Sequence, residues 1–263
     1  MTNYVVNKDL LAIASTIASG AVDIARAGLY DHTGRWGASV KAGNDADVIT
    51  VIDLEIDKYI RSKLVELRSR DGIITEESDE WLGTTGIVWV CDPIDGSASF
   101  ASGAGSSSVS IAATSNGVSL AGVVIDIGTG ETFTASRGNG AHLNGRPIHV
   151  SGLTRLSEAM VASDFSHDRS LRVDQAAMIG RIATNVRAMR NAGSTALHIA
   201  WVGDGRLDSV CQAAVKWWDM AAAGLIVEEA GGVLSDLAGG PVRPESIVAS
   251  TPGIHKELLK AII

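Results

Sequence analysis

The sequence predicts an α+β protein made of two α/β sub-folds stacked in layers, with a division near residue 150. Three observations predict it. The N-terminal part holds two long helical periods, Ser106 to Val150 switches to period two with turn signals, and from about Ser151 strands and helices alternate. At 263 residues, 46% hydrophobic and 20% charged, the chain has apolar material for a sizeable core across subdomains 1–150 and 151–263.

Asp9 to Ala27 repeats Leu10, Ile13, Ala14, Ile17, Ala21 and Ile24 on one side, the spacing of an amphipathic helix. Tyr30 to Asp47 is polar, contains Gly34, Gly37 and Gly43, and reads as a mobile loop. Asp53 to Arg70 is a second helix, with Leu54, Ile56, Ile60, Leu64 and Leu67 largely on one face. Ile73-Ile74 is a short strand running into Glu76-Glu77, and Gly86 to Cys91 is another strand. "SVSIAATSNGVSLAGVVID" is a hairpin turning on Asn116-Gly117, and "ETFTASRGNGAHLNGRPIHV" adds strands around Gly138 and Asn144-Gly145. Beyond the division come a strand near Met160–Ser163 and helices from Leu171 to Ala183 and from Ser194 to Val202. "RLDSVCQ" is a strand, Trp217 to Ala230 is a helix closed by Gly231-Gly232, and a final helix covers Ile254 to Ile263.

Composition excludes several functions. The net charge of -8 and the lack of a basic stripe argue against a nucleic-acid partner. The same charge repels anionic substrates unless cations stand between protein and ligand. No run of 18 apolar residues suggests a membrane span. Lys8 and Asp9 fall where an export signal needs its apolar run. Cys91 and Cys211 have neither metal-site spacing nor a disulfide framework, which suits a reducing cytoplasm. Neither a P-loop nor a His-Glu-x-x-His motif is present.

Acidic residues cluster at the ends of elements, where α/β folds build ligand sites: Asp47 and Asp53, Glu76-Glu77, Asp92 and Asp95, and Asp219. In "DPIDGS" the two aspartates are three apart and would face opposite ways in a regular strand. Pro93 fixes φ and removes a donor, so the chain is expected to turn there and bring both carboxylates to one point. Carboxylates that close repel unless protonated or bridged by a cation, and a hard divalent ion suits oxygen ligands. Gly96 lets a ligand approach the backbone, and Ser97 can start a short helix whose first N–H groups face an anion. The plainer reading is a solvated Asx turn with an N-cap. Taken singly, Glu76-Glu77 reads as a solvated loop, Asp219 as a cap of an Ala-rich helix, and Asp53 as a first-turn acid.

The combination is more specific. "DVITVID", "ITEES", "DPIDGSASF", "GNGAHLNGRPIHV" and "WWDMAAAGLIVEEAGG", in this order, resemble the inositol monophosphatase family from roughly the first helix to the C-terminus. The resemblance implies a layered α-β-α-β-α sugar-phosphatase-like fold and a Mg²⁺-dependent, lithium-sensitive phosphomonoesterase, often a homodimer, with two to three Mg²⁺ per site. It implies Glu76, Asp92 and the Ile94 carbonyl as ligands of the first ion, and Asp92, Asp95 and Asp219 as ligands of the second. Ser97 with Asp53 matches the pair that orients the attacking water, Glu77 joins the catalytic group, and a third, weaker ion would lean on Glu76 and water. Asp95, Gly96, Ser97, Gly193, Ser194 and Thr195 match substrate-contacting positions, and Gln212 falls where many members carry a hydroxyl-binding glutamate. Lys216 faces either the leaving group or solvent.

The substrate implied is a small phosphorylated alcohol or polyol, most simply inositol 1-phosphate. Histidinol phosphate, fructose 1,6-bisphosphate and 3′-phosphoadenosine 5′-phosphate compete, as does a non-catalytic metal-binding role. Phosphate monoester hydrolysis has a very large uncatalysed barrier, and metal ions at an acidic site supply the charge stabilisation it needs. Departures from the family pattern are Ser97, Ser99, the Ser102-Gly103-Ala104-Gly105 stretch, Thr75 and Gln212, all around the substrate rather than among the metal carboxylates. The Asp-x-x-Asp spacing speaks against a phosphatase with a nucleophilic Asp-x-Asp. Cys91 and His198 read as core residues. "FSHDRS", Phe165 to Ser170, reads as a solvated loop, with a substrate-reaching loop as the alternative.

Overall fold

In the computed structural model, residues 2–30, 39–41 and 44–263 are described. Helix α1 (Thr2–Tyr30) leads into a small hairpin, β1 (Ser39–Lys41) and β2 (Asn44–Ile49), then helix α2 (Val51–Arg68). Of the stretch Tyr30 to Asp47 expected to be a loop, Tyr30 ends α1 and residues 39–41 and 44–47 form an antiparallel hairpin; the remainder of that expectation lies outside the described residues. Thr50 caps α2 through a reciprocal capping box with Asp53, which sets the helix start before Asp53.

A seven-stranded sheet follows, in the order β3-β4-β5-β6-β7-β8-β9. Its strands are β3 (Gly72–Thr75), β4 (Ile87–Asp95), β5 (Ser108–Ser115), β6 (Val118–Asp126), β7 (Thr132–Ser136), β8 (Ala141–Leu143) and β9 (Arg146–Ile148), with helix α3 (Ser97–Ser102) between β4 and β5. β3 runs parallel to β4, and the other neighbours are antiparallel. The expected hairpins are present: Asn116 and Gly117 both take positive φ between β5 and β6, as do Asn144 and Gly145 between β8 and β9.

A five-stranded sheet in the order β11-β10-β12-β14-β13 completes the chain. It contains β10 (Met160–Ala162), β11 (Ala188–Arg190), β12 (Ser209–Ala213), β13 (Val233–Ser235) and β14 (Ser246–Ser250). Its helices are α4 (Arg172–Ala183), α5 (Thr195–Gly203), α6 (Trp217–Glu229) and α7 (Pro252–Ile262). The short strands β11, β13 and β14 were not expected from the sequence.

Alternation along the strands assembles the layers. Trp89 and Cys91 point to one face of β4 and pack with Ile111 and Val123 under α1 and α2. Val90, Ala112 and Val124 point to the other face and meet α5 and α6. That middle cluster also holds Val210, Ile247 and Ala249 from the second sheet. Cys211 and Val248 face outward again, onto Met178 and Ile182 of α4 and Leu258 of α7. The order is helix, sheet, helix, sheet, helix. Central strands covered on both faces read as near-continuous apolar runs, as "IVWVC" does.

Among the described residues one window, Asn7–Gly28, is long and apolar enough to cross a membrane. Its stripe of Leu10, Ala14, Ile17, Ala18, Ala21, Val22 and Ala25 is buried against the first sheet, as in a core helix. Cys91, Cys211 and His198 are buried as expected. His198 Nε2 accepts from the Ala192 N–H at 2.9 Å, and burial pushes its pKa down to about 4, so the ring is neutral.

Candidate metal and phosphate site

β4 does not turn at Pro93. It continues to Asp95 with a register shift against β5: Asp92 pairs with Ser110 and Asp95 with Ser108. One extra residue on β4 is a bulge, and a bulge flips the side-chain parity that would have sent the two aspartates to opposite faces. Pro93 suits the bulge because it has no ladder N–H to leave unpaired. The expectation that both carboxylates converge holds; the device is a bulge rather than a turn. Asp219, three residues into the run that opens α6, joins them. One carboxylate oxygen from each of Asp92, Asp95 and Asp219 lies within 4.8 Å of the others.

Each carboxylate is held differently. Asp92 is fully buried and its Oδ1 has no hydrogen-bond partner. Burial raises its pKa well above the ordinary value, helped by Glu76, Asp95 and Asp219. Asp95 Oδ2 accepts from the Ala196 N–H at 2.6 Å and from the Ser194 hydroxyl, at the start of α5. Burial raises Asp95 to about 6 against those hydrogen bonds. Asp219 Oδ2 accepts from the Lys216 N–H at 2.7 Å, and burial with the Asp95 charge raises its pKa.

Glu76 and Glu77 follow β3, whose Thr75 lies beside Cys91 of β4. Lys41 of the hairpin places its Nζ 2.7 Å from Glu76 Oε1 and 2.9 Å from Glu77 Oε1, with Asp47 at 3.9 Å. Burial opposes the Lys41 charge, but Glu76 and Glu77 overcome it and raise the pKa. Burial and the neighbouring Glu76 push Glu77 up to about 7. Sequence reasoning missed Lys41. A single lysine in a polar, glycine-bearing stretch carries no signal until the hairpin folds it onto the glutamates.

Ser97 Oγ lies 2.5 Å from Asp53 Oδ1 and 2.9 Å from the Ile94 carbonyl oxygen. One hydroxyl proton serves one of these acceptors at a time. Asp53 is buried and accepts from the Thr50 N–H at 2.9 Å; burial raises its pKa, opposed by the bonds from Ser97 and Thr50. Gly96 has φ 90°, and a Cβ there would sit 2.9 Å from both the Gly193 and Ser106 carbonyl oxygens. Both conformation and space require glycine. Gly193, at φ 103°, packs against Ser99, whose hydroxyl a Cβ would overlap.

The site residues expected from sequence thus fall into groups. Asp92, Asp95 and Asp219 converge. Glu76 stands beside them, held by Lys41. Ser97, Asp53 and the Ile94 carbonyl form one contact, with Gly96 and Gly193 back to back behind it. Ser194 is buried as the N-cap of α5, its Oγ accepting from the Leu197 N–H at 3.1 Å and turned to Asp95; Thr195 is half-buried beside it. Gln212 Oε1 accepts from the Asp164 N–H at 2.7 Å and Nε2 donates to the Asp164 carbonyl at 3.1 Å.

The donor set fits a hard divalent cation. It is all oxygen, it converges, and it leaves a buried carboxylate oxygen unpaired among like charges, an arrangement that a cation relieves.

A family model described as the inositol monophosphatase family matches residues 6–263. The chain belongs to the inositol monophosphatase family. It is 36% identical over 251 residues to the inositol-1-monophosphatase SuhB of Mycobacterium tuberculosis, covering 91% of this chain and 84% of the relative. It is 35% identical over 226 residues to the Nus factor SuhB of Salmonella typhimurium, covering 84% of each. The solved extragenic suppressor protein suhB of Bartonella henselae superposes with a TM-score of 0.90 at 30% identity, covering 97% of this chain and 98% of that one. The family is one of phosphomonoesterases that use divalent metal, and this chain carries a carboxylate cluster able to hold a metal ion.

Proposed function

We propose that this chain hydrolyses a small phosphate monoester, most simply inositol 1-phosphate, with Mg²⁺ as cofactor. One observation carries the reading. Carboxylate oxygens of Asp92, Asp95 and Asp219 are brought within 4.8 Å of one another, and the hydrogen bonds to Asp95 and Asp219 leave the buried Asp92 Oδ1 without a partner, a repulsion that a cation or protons would relieve. Asp92, Asp95 and Asp219 with Glu76 would hold the ions, two to three per site. Bound there, Mg²⁺ supplies an acidified water, neutralisation of phosphoryl oxygens and stabilisation of the leaving alkoxide.

The remaining work falls to this chain's own residues. Ser97, hydrogen-bonded to Asp53, orients the attacking water and passes its proton to the Asp53 carboxylate. The tight Gly96 backbone beside Ser97 lets phosphate oxygens approach the N–H groups that open α3. Water oxygen bonds to phosphorus, the ester P–O bond breaks, the leaving oxygen takes a proton from solvent, and the proton held by Asp53 returns to solvent. Glu77, raised to about 7, is poised to hold or release a proton at neutral pH. Lys41 Nζ bridges Glu76 and Glu77 and holds both carboxylates in place.

The same reading makes the protein a lithium-sensitive cytoplasmic homodimer, supported by family resemblance and by two buried free cysteines. Relatives named Nus factor favour one other reading, a binding role on the same fold. The deciding experiment measures phosphate release with and without Mg²⁺ on inositol 1-phosphate, histidinol phosphate, fructose 1,6-bisphosphate and 3′-phosphoadenosine 5′-phosphate. Mg²⁺-dependent turnover of inositol 1-phosphate above the rest is expected. Mg²⁺ binding without turnover of any ester would favour the binding role.

A further inference from the structure

The parallel strands β11, β10 and β12 end side by side, the place where α/β sheets receive ligands. Asn191 follows β11, Asp164 follows β10, and Gln212 lies near the end of β12. Pairing of β10 with β12 stops at Ala162 opposite Val210. Continued in register, it would set Asp164 beside Gln212. The Gln212 side chain replaces that missing ladder, taking the Asp164 N–H and giving a proton to its carbonyl.

A second buried glutamine repeats the device two residues on. Gln175 Oε1 of α4 accepts from the Ser166 N–H at 2.8 Å, and its Nε2 reaches the Ala213 carbonyl at 3.5 Å. Asp164 Oδ1 adds a link to Asn191 Nδ2 at 2.8 Å, and Arg172 Nε holds the Ser166 carbonyl at 2.8 Å. The segment 164–168 is therefore anchored at alternate residues rather than freely solvated. Its exposed side chains are Phe165, 41% exposed, His167, whose Nδ1 stands 3.4 Å from Asp47 Oδ1, and Asp168, which accepts from the Ser170 hydroxyl. Asp47 neighbours Lys41, and Lys41 grips Glu76, so a chain of charged contacts links the segment to Glu76 at the carboxylate site.

We propose that Gln212 and Gln175 are positioning residues that fix segment 164–168 as the wall of the alcohol subsite, and that Phe165 and His167, rather than Gln212, meet the substrate. Both polar atoms of the Gln212 amide are already engaged on one backbone residue. An aromatic ring and an imidazole carried on one anchored segment suit a ring polyol, whose C–H face would pack on Phe165 while a hydroxyl reaches His167. This rests on the phosphomonoesterase reading above.

Residue-resolved amide exchange and kinetics on the full chain test it. In Gln212→Met the Asp164 amide, and in Gln175→Met the Ser166 amide, should exchange about tenfold faster, the effect of losing a buried hydrogen bond. Each variant should raise KM for inositol 1-phosphate more than it lowers kcat. A raised KM in Gln212→Met with Asp164 exchange at the wild-type rate would overturn the proposal and make Gln212 a direct contact. Should the buried variants unfold, the exposed substitutions Phe165→Ala and His167→Ala decide: each should raise KM for inositol 1-phosphate about fivefold, as lost aromatic or polar contacts do, and wild-type KM values in both would overturn it. Exchange is read without turnover, so a protein that hydrolyses nothing refutes the activity while leaving the clamp separately measurable.

Discussion

Replacing Asp92 by Asn should make the metal-free protein more stable and the metal-loaded protein inactive. Asp92 is buried with an unpaired Oδ1 and shares a 4.8 Å cluster with Asp95 and Asp219. At that separation and an effective dielectric of about 20, each ionised pair costs roughly 3 kcal/mol. Proton uptake by the cluster reduces the ionised share, so the gain from a neutral isostere is smaller than this figure. A rise of about 5 °C in melting temperature at pH 8 in chelator is the expected size for a chain of this length. Metal should act in the opposite sense. At 100 times its Kd, Mg²⁺ stabilises the wild type by about 2.7 kcal/mol; a variant binding about 100-fold more weakly keeps only about 0.4 kcal/mol. Phosphate release should fall at least about 100-fold, the scale of a lost metal ligand. The assay is thermal melting with and without Mg²⁺, paired with phosphate release. A metal-free variant that melts below wild type, with an unchanged Mg²⁺ shift, would refute the cluster as a repulsive cation site.

Stability of the metal-free protein should depend on pH with a definite sign. Asp95 rises from 3.8 to about 6 and Glu77 from 4.5 to about 7 on folding. Both bind protons more tightly when folded, so their contribution is full below about 4 and is lost as pH climbs to about 7. For Asp95 this is about 3 kcal/mol; denaturant melts across that window in chelator check it, and a rise in stability over the same range contradicts it. Ser97→Ala should lower kcat about 100-fold with little change in KM, the scale of a lost proton-transfer partner, while Ser97→Thr keeps the hydroxyl and most of the rate; steady-state kinetics separate the two. Gly193→Ala should destabilise by about 1–3 kcal/mol, since φ is 103° and the new Cβ overlaps Ser99, and a denaturation midpoint equal to wild type would show that the Ser99 contact gives way freely.

The sequence made the layers legible because the strands covered on both faces are apolar runs and the helices carry one-sided stripes. The carboxylates were legible as residue types, but not their convergence by bulge. Asp92 and Asp95 are three apart, so pattern alone gives opposite faces, and Pro93 is compatible with a turn or with a bulge. Only the register, Asp92 against Ser110 and then Asp95 against Ser108, decides between them. The hairpin β1–β2 was illegible for a different reason. Its strands are short and polar, and the tie that gives them a role is Lys41 reaching Glu76, 35 residues away.

Gln212 shows where inference by family position stops. Matched to a hydroxyl-binding glutamate, it was expected to touch substrate. In the structure its amide does something a carboxylate cannot: it donates to the Asp164 carbonyl while accepting from the Asp164 N–H. A glutamate there would keep the acceptor, lose the donor and bury a charge beside other acids. The substitution is therefore not a weakened version of the family contact. It exchanges a charge that can face a ligand for a neutral group that can pair with backbone in both directions, and recognition passes to the wall it supports. That partner lies 48 residues away, just past the end of a neighbouring strand, so no local pattern around Gln212 carries the signal, whereas the acidic motifs, each at the end of its own strand or helix, carry theirs in a few adjacent letters.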